Sequence, residues 1–177
     1  MKTYPGLALL LCISLAHATP LEPIERLDLQ RYLGTWHEIA KYPNRFQEQC
    51  VSDTTATYAR MDDGRIEVIN RCRTASGEFD EARGVARLVG EAGSPRLEVR
   101  FAPAWLSWLP MAWGDYWVID LDEAYTLVAI SEPSKEYLWI LARDADVAGE
   151  RVEALVTRLE QRGFDAARIV RSPHDSR

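Results

Sequence analysis

Trp36 and Arg143 are the residues of this chain whose types and settings point most directly to a defined interaction. Trp36 ends the run Gly34-Thr35-Trp36, directly after Arg31-Tyr32-Leu33, and Arg143 follows Leu138-Trp139-Ile140-Leu141-Ala142 far later in the chain. A guanidinium laid over an indole face gains about 0.5 to 2 kcal/mol, depending on how far the pair is desolvated. That chemistry latches distant segments, here with Gly34 beside it, and transforms nothing. Catalysis would need an activated nucleophile or a metal, and the three histidines supply neither. His17 sits in an N-terminal apolar stretch, His174 in a polar tail, and His37 has parity opposite to Trp36 and faces outward. With no CxxC pair, no Ser-His-Asp set and no carboxylate dyad, the sequence assigns no catalytic residue, no metal site and no cofactor.

Cys50 and Cys72 are the other reactive pair. They flank a hairpin signal, Met61-Asp62-Asp63-Gly64-Arg65, in which Asp-Gly offers the positive φ of a tight turn. Alternation places Cys50 with Ala56 and Tyr58, and Cys72 with Val68 and Asn70, so both sulfurs point to one inner face. Simple pairing about the turn sets Cys72 opposite Thr54, so a disulfide requires a bulge or bend at the start of the first strand.

The elements that hold these residues share a period of two. Ala82, Gly84, Ala86 and Leu88 alternate with Arg83 and Arg87; Leu97, Val99 and Phe101 alternate with Glu98 and Arg100. Tyr116 and Val118 share a face in 115–121, a further apolar strand covers 125–130, and Tyr137, Trp139 and Leu141 share a face after it. Turns near Gly64, Gly90 to Pro95, Asp122-Glu123 and Pro133-Ser134 separate them. About eight antiparallel strands in meander order favour closure, which removes the bare edges of an open sheet and encloses room for one small ligand. Val152, Leu155, Val156 and Leu159 then recur at helical spacing, with Gly163 as a stop, so one amphipathic helix packs outside the barrel. The stretch 164–171 reads as a short returning edge strand. The predicted inner wall comprises Ala56, Tyr58, Val68, Asn70, Val99, Phe101, Tyr116, Val118 and Trp139, apolar apart from the Asn70 amide and the tyrosine hydroxyls. Small Ala56, Ala82, Gly84 and Ala86 are expected to leave space for a ligand.

Residues 1–18 have the form of a secretory leader: Lys2, an apolar run from Gly6 to Leu15, and Ala16-His17-Ala18 at the cleavage site. Cys12 is preceded by Leu11 and followed by more of the apolar run, so a lipid anchor is not expected. Cleavage leaves a single domain, 19–177, with 20 basic against 27 acidic residues, a balance that excludes nucleic acid as a partner.

Three blocks, Tyr32-Leu33-Gly34-Thr35-Trp36-His37-Glu38-Ile39-Ala40, Gly114-Asp115-Tyr116-Trp117-Val118-Ile119-Asp120-Leu121-Asp122 and Tyr137 to Arg143, resemble in order the conserved blocks of the lipocalin family. Within it the likeness is to bacterial outer-membrane lipocalins and the apolipoprotein D group. The resemblance implies an all-β, eight-stranded antiparallel up-and-down barrel with the C-terminal α-helix outside. It also implies a protein that stores or transports single-chain lipids, fatty acids or lysophospholipids, for envelope maintenance under stress. The expected location is the periplasm, in association with the outer membrane. A lipocalin-fold enzyme acting on an apolar substrate is the competing class. His37 stands where the family commonly has Tyr, and the ordinary cleavage site departs from the acylated bacterial members.

The connection 102–113 carries three of the chain's six tryptophans and lies at the end of the barrel opposite Trp36. Trp105, Leu106, Trp108 and Leu109 are expected to form a lid over the entrance, a peripheral contact with the bilayer interface, or a homodimer face.

Overall fold

The structure, a computed structural model, describes residues 20–102 and 112–175; the stretch 1–18 read as a leader and Trp105, Leu106, Trp108 and Leu109 lie outside the described residues. Asp28 starts the ordered core by capping a one-turn helix α1 (Leu29–Tyr32), its carboxylate accepting from the N–H groups of Gln30 and Arg31. Eight strands follow: β1 (Gly34–Lys41), β2 (Cys50–Arg60), β3 (Ile66–Thr74), β4 (Phe79–Leu88), β5 (Arg96–Arg100), β6 (Gly114–Leu121), β7 (Leu127–Ser131) and β8 (Leu138–Ala142). Each pairs antiparallel with the next, and β1 pairs with both β8 and β2, which closes the expected up-and-down barrel.

The strand patterns follow from what covers each face. On β2 and β3 buried and wetter residues alternate. On β7 every residue is buried, because the helix α2 (Gly149–Gln161) covers the outside of the wall there. Val152, Leu155 and Leu159 of α2 pack with Ile39, Ile119, Leu127, Ala129 and Ile140, forming a core outside the barrel. The lumen holds a second core that includes Trp36, Tyr58, Val68, Val118 and Ile130. One helical stripe thus accounts for two strands that read as continuously apolar.

Two strand boundaries differ from the sequence expectation. Tyr125 lies in the turn before β7 with φ of 60°, because the Asp122 carboxylate captures the N–H groups of Thr126 and Leu127 at 2.6 and 3.0 Å and holds the chain in a loop. Tyr137 precedes β8 rather than entering it. The returning stretch keeps only Val170–Arg171 as a strand, β9, paired with Ala40 and Lys41 of β1. Ahead of it Asp165 caps a 3-10 turn, Ala166–Arg168.

The disulfide between Cys50 and Cys72 is present, with Cα atoms 5.5 Å apart. The bend it requires is present as well: the β2–β3 register shifts between Cys50 and Ser52 and again between Ser52 and Thr55. Those shifts bring Cys50 opposite Thr74 instead of beyond the strand end, within diagonal reach of Cys72. Asp53 absorbs the distortion with φ of 53°.

Closure is narrow. Only Gly34 to His37 of β1 pair with β2. Toward the opposite end, the mouth, the two strands splay and the C-terminal tail fills the seam. β9 takes the edge of β1, Ser172 N–H donates to the Ile39 carbonyl, and Asp53 N–H on β2 donates to the Pro173 carbonyl. His174 lies edge-on to His37 at 5.5 Å, so the outward-facing His37 is covered by the tail.

At the floor, the Arg143 guanidinium lies 3.9 Å from the Trp36 ring centroid. It donates to the carbonyls of Thr35, Arg31, Tyr32 and Leu33 at 2.7 to 3.1 Å. Trp36 Nε1 donates to the Tyr32 carbonyl at 2.8 Å and is fully buried. Gly34, with φ of 97°, passes so close that a Cβ there would lie 3.2 Å from an Arg143 nitrogen. Arg143→Ala leaves those carbonyls without their charged donor, and we expect a loss of about 3 kcal/mol in denaturant unfolding. Arg143→Lys should recover only a minor part, since an ammonium cannot span the same acceptors. An unchanged denaturation midpoint in Arg143→Ala would refute the latch.

Candidate ligand-binding site

The lumen has three levels, and each is set by which side chains the strands turn inward. The floor is Trp36, with Leu27 beneath the barrel and Ile66, Val128 and Leu141 around it, all buried. The expected wall residues Ala56, Val68 and Val118 belong to this same cluster.

Above the floor three tyrosines converge from separate elements. Tyr32 comes from α1, Tyr58 from β2 and Tyr116 from β6, and the Tyr116 hydroxyl lies 2.5 Å from that of Tyr32 and 2.8 Å from that of Tyr58. Three phenols can satisfy one another in an apolar lumen because each hydroxyl both donates and accepts. Burial is the first cause of their altered acidity. It pushes the Tyr58 phenol up to about 12. Tyr32 and Tyr116 are also raised well above the ordinary value; both neighbouring phenols reinforce burial at Tyr116, whereas at Tyr32 the Tyr58 phenol reinforces it and the hydrogen bond with Tyr116 opposes it. Tyr32 is a site residue that strand periodicity misses, because it reaches the lumen from a helix preceding the first strand.

Tyr32, Tyr58, Val68, Val99 and Tyr116, with Leu29 and Ala86, line an apolar void of about 10 Å³, room for about one water molecule. Of the four small residues expected to leave space, Ala86 lines this void. Ala56 stands opposite Trp36 in the β1–β2 register and accommodates the indole. Gly84 accommodates Phe101: a Cβ on Gly84 would lie 2.8 Å from both the Phe101 ring and the Arg100 carbonyl. Ala82 is exposed, since β5 ends before it can pair with the outer half of β4. Phe101 itself is 43% exposed at the rim, not a buried wall residue, because it follows the last residue of β5. A wider recess of about 250 Å³ lies between Met61, Glu67, Arg83 and Arg100.

The mouth is polar where the sequence suggested an apolar wall. Glu38 shares inward parity with Trp36 and is only 2% exposed. Its carboxylate pairs with Lys41 at 2.9 Å and accepts from Gln47 Nε2 and Ser172 Oγ, each at 2.6 Å. Gln47 Oε1 in turn accepts from the Trp139 indole at 2.9 Å, which places Trp139 on the inner wall of the mouth as expected. His174 Nε2 stands 2.7 Å from the Glu38 carbonyl, a contact that requires the proton on that nitrogen. Glu38 thereby ties the loop after β1 and the C-terminal tail to the first strand. Its parity with Trp36 was the available signal; its partners, distant in sequence, were not. Asn70 lies in register with Ala56 and Ala82, half-buried between floor and mouth.

A lumen closed below by a cation–π latch, lined by apolar side chains and polar at its single mouth, is a calyx. A family model described as a lipocalin-like domain matches residues 27–174. This chain is a lipocalin. Temperature-induced lipocalin-1 of Arabidopsis thaliana is 36% identical over 155 residues, 86% of this chain and 82% of that protein. The outer membrane lipoprotein Blc of Escherichia coli K12 is 32% identical over 148 residues, 83% of this chain and 79% of its own length. Apolipoprotein D of Mus musculus is 30% identical over 158 residues, covering 85% and 79%. Among solved structures, insecticyanin from the tobacco hornworm Manduca sexta superposes with a TM-score of 0.68 at 18% identity, over 90% of this chain and 87% of that one. Lobster apocrustacyanin A1 gives 0.64 at 14% identity, over 84% and 81%; at these identities the likeness is one of fold. As a lipocalin, the chain belongs to a family of carriers for small hydrophobic ligands.

The tyrosine cluster sets an alkaline limit on this lipocalin. A phenol with a raised folded-state pKa contributes stability that is fully present below pH 10 and is lost as the pH rises toward 12, because the unfolded chain ionises first. Unfolding free energy should fall above about pH 10, and Tyr58→Phe should make that fall shallower by about 1.4 kcal/mol per pH unit, the value of one proton. Identical slopes for parent and variant would show that Tyr58 ionises normally in the folded barrel.

Proposed function

We propose that this lipocalin carries one single-chain lipid, a fatty acid or lysophospholipid, with its apolar end lowered toward the void among Val68, Ala86, Val99 and Tyr116 and its polar end at the mouth. The observation that carries the reading is the polarity gradient of the calyx: an apolar lower lumen beneath a mouth furnished with Lys41, Glu38 and Gln47. Burying ten methylenes gives about 8 kcal/mol gross at about 0.8 kcal/mol each, which corresponds to micromolar affinity before ordering costs. A void of about 10 Å³ cannot hold that length unfilled, so entry requires a side chain to move. Tyr116, at the mouth half of β6 and only partly buried, is positioned to do so.

The reading assigns carriage and not turnover. The buried phenols are held protonated, and His37 and His174 face each other where the tail covers β1, away from the lumen. A leader at 1–18 supports a mature domain that works in the periplasm beside the outer membrane, in envelope maintenance. The names of the bacterial relatives, outer membrane lipoproteins, support the envelope location.

Tyr116→Ala should enlarge the void and tighten binding of a long-chain fatty acid by about tenfold, at a cost of about 3 kcal/mol in stability. Val99→Trp should overfill the void and abolish the same titration, at a cost of about 1 to 3 kcal/mol in stability, with the barrel still folded by near-ultraviolet circular dichroism. Unchanged titration in both folded variants would place the ligand elsewhere.

A further inference from the structure

We infer that the rim of the mouth is a docking collar for a zwitterionic phospholipid bilayer surface. Six large apolar side chains stand out as exposed among the described residues, and five of them, Phe46, Val51, Phe79, Phe101 and Val170, are at the mouth; only Val89 is at the floor end. Single exposed apolar residues are ordinary, but five around one opening of an acidic chain are not. Their arrangement fits lipid. The Arg71 guanidinium lies 3.7 Å from the Phe79 ring centroid, and that of Arg45 lies 5.1 Å from Phe46. A ring capped by a guanidinium suits the bilayer interface, where the ring rests at the level of the glycerol and the cation meets lipid phosphate.

The collar also connects with the lumen. Phe46 packs on Tyr137 at 5.6 Å, and Tyr137 stacks on Trp139 at 5.8 Å with planes 10° apart. Trp139 then reaches the inner wall through Gln47. An acyl chain leaving a membrane at Phe46 would meet aromatic surface all the way into the calyx.

Charge decides which membrane. Exposed Glu48, Glu78, Asp80 and Glu81 are interspersed with Arg45 and Arg71 on the rim, and the whole chain carries a net −6. A surface of both signs on an acidic protein matches headgroups that carry both signs, and an anionic bilayer would repel it.

The test is co-sedimentation of the mature protein with phosphatidylcholine vesicles, compared with Phe46→Ser/Phe79→Ser and with Phe79→Ser alone, which disturbs no packing around Tyr137. The double variant should lose about tenfold in partitioning and the single variant a part of that. Added phosphatidylglycerol should not raise binding of the parent. Titration with soluble lauric acid should be unchanged in Phe79→Ser, which lies off the aromatic path into the lumen, so that a failure of lipid carriage is distinguished from a failure of docking. Equal vesicle binding by all three proteins, binding that depends on phosphatidylglycerol, or a parent homodimer in light scattering that the substitutions dissolve would each overturn the collar.

Discussion

Strand β1 is the constraint on which the rest of the molecule depends, because the barrel can close only if this one strand serves two neighbours with opposite needs. At the floor it must meet β2, and it does so over Gly34 to His37 alone. A seam of four residue pairs is short for a closed sheet, and Arg143 reinforces it from outside. The guanidinium caps the Trp36 indole and gathers the carbonyls of Arg31, Tyr32, Leu33 and Thr35, the stretch of chain that leads into the seam. Charge-assisted hydrogen bonds in such a partly buried place are worth more than ordinary ones. At the mouth the same strand parts from β2, and the C-terminal tail bridges the gap through Ser172, Pro173 and His174. Glu38 binds that end together as Arg143 binds the other.

The two ends then diverge in character. In the floor half three phenols interlock through their hydroxyls. The mouth half holds a buried ion pair, an amide relay and an aromatic shelf. Buried ion pairs contribute little net stability once desolvation is counted, yet removing one partner is costly. Lys41 and Glu38 therefore specify the geometry of the mouth more than they hold the barrel folded. The calyx is thus apolar below and polar above, the gradient on which the proposed lipid carriage rests.

Much of this was legible from residue spacing. Alternation identified the eight strands and assigned Ala56, Tyr58, Val68 and Val118 to the lumen, because the side-chain period of a strand is independent of its partners. The need for a bulge at Cys50 followed from counting residues about the Asp62-Asp63-Gly64 turn, and the register shifts beside Ser52 supply it. The helical stripe on α2 was equally plain. What escaped depends on contacts between residues remote in sequence. Tyr32 reaches the lumen from a helix, Gln47 from a loop, and Ser172 and His174 from a tail that reads as polar and loose. Tyr125 was drawn out of its strand by the side chain of Asp122. Phe101 obeyed the alternation but lay beyond the last hydrogen-bonded pair of β5. Alternation also could not show whether small residues spare room for a ligand or for a neighbour, which Gly84 beneath Phe101 and Ala56 beside Trp36 decide in favour of the neighbour.

The central claim is that this lipocalin carries a single-chain lipid in its calyx, and native mass spectrometry of the protein purified from its own cells tests it most directly. The account predicts one bound species per chain with the mass of a fatty acid or lysophospholipid, released on denaturation and missing from Val99→Trp. A bound two-chain phospholipid, or a parent and variant that both emerge at the bare mass of the mature chain, would contradict it.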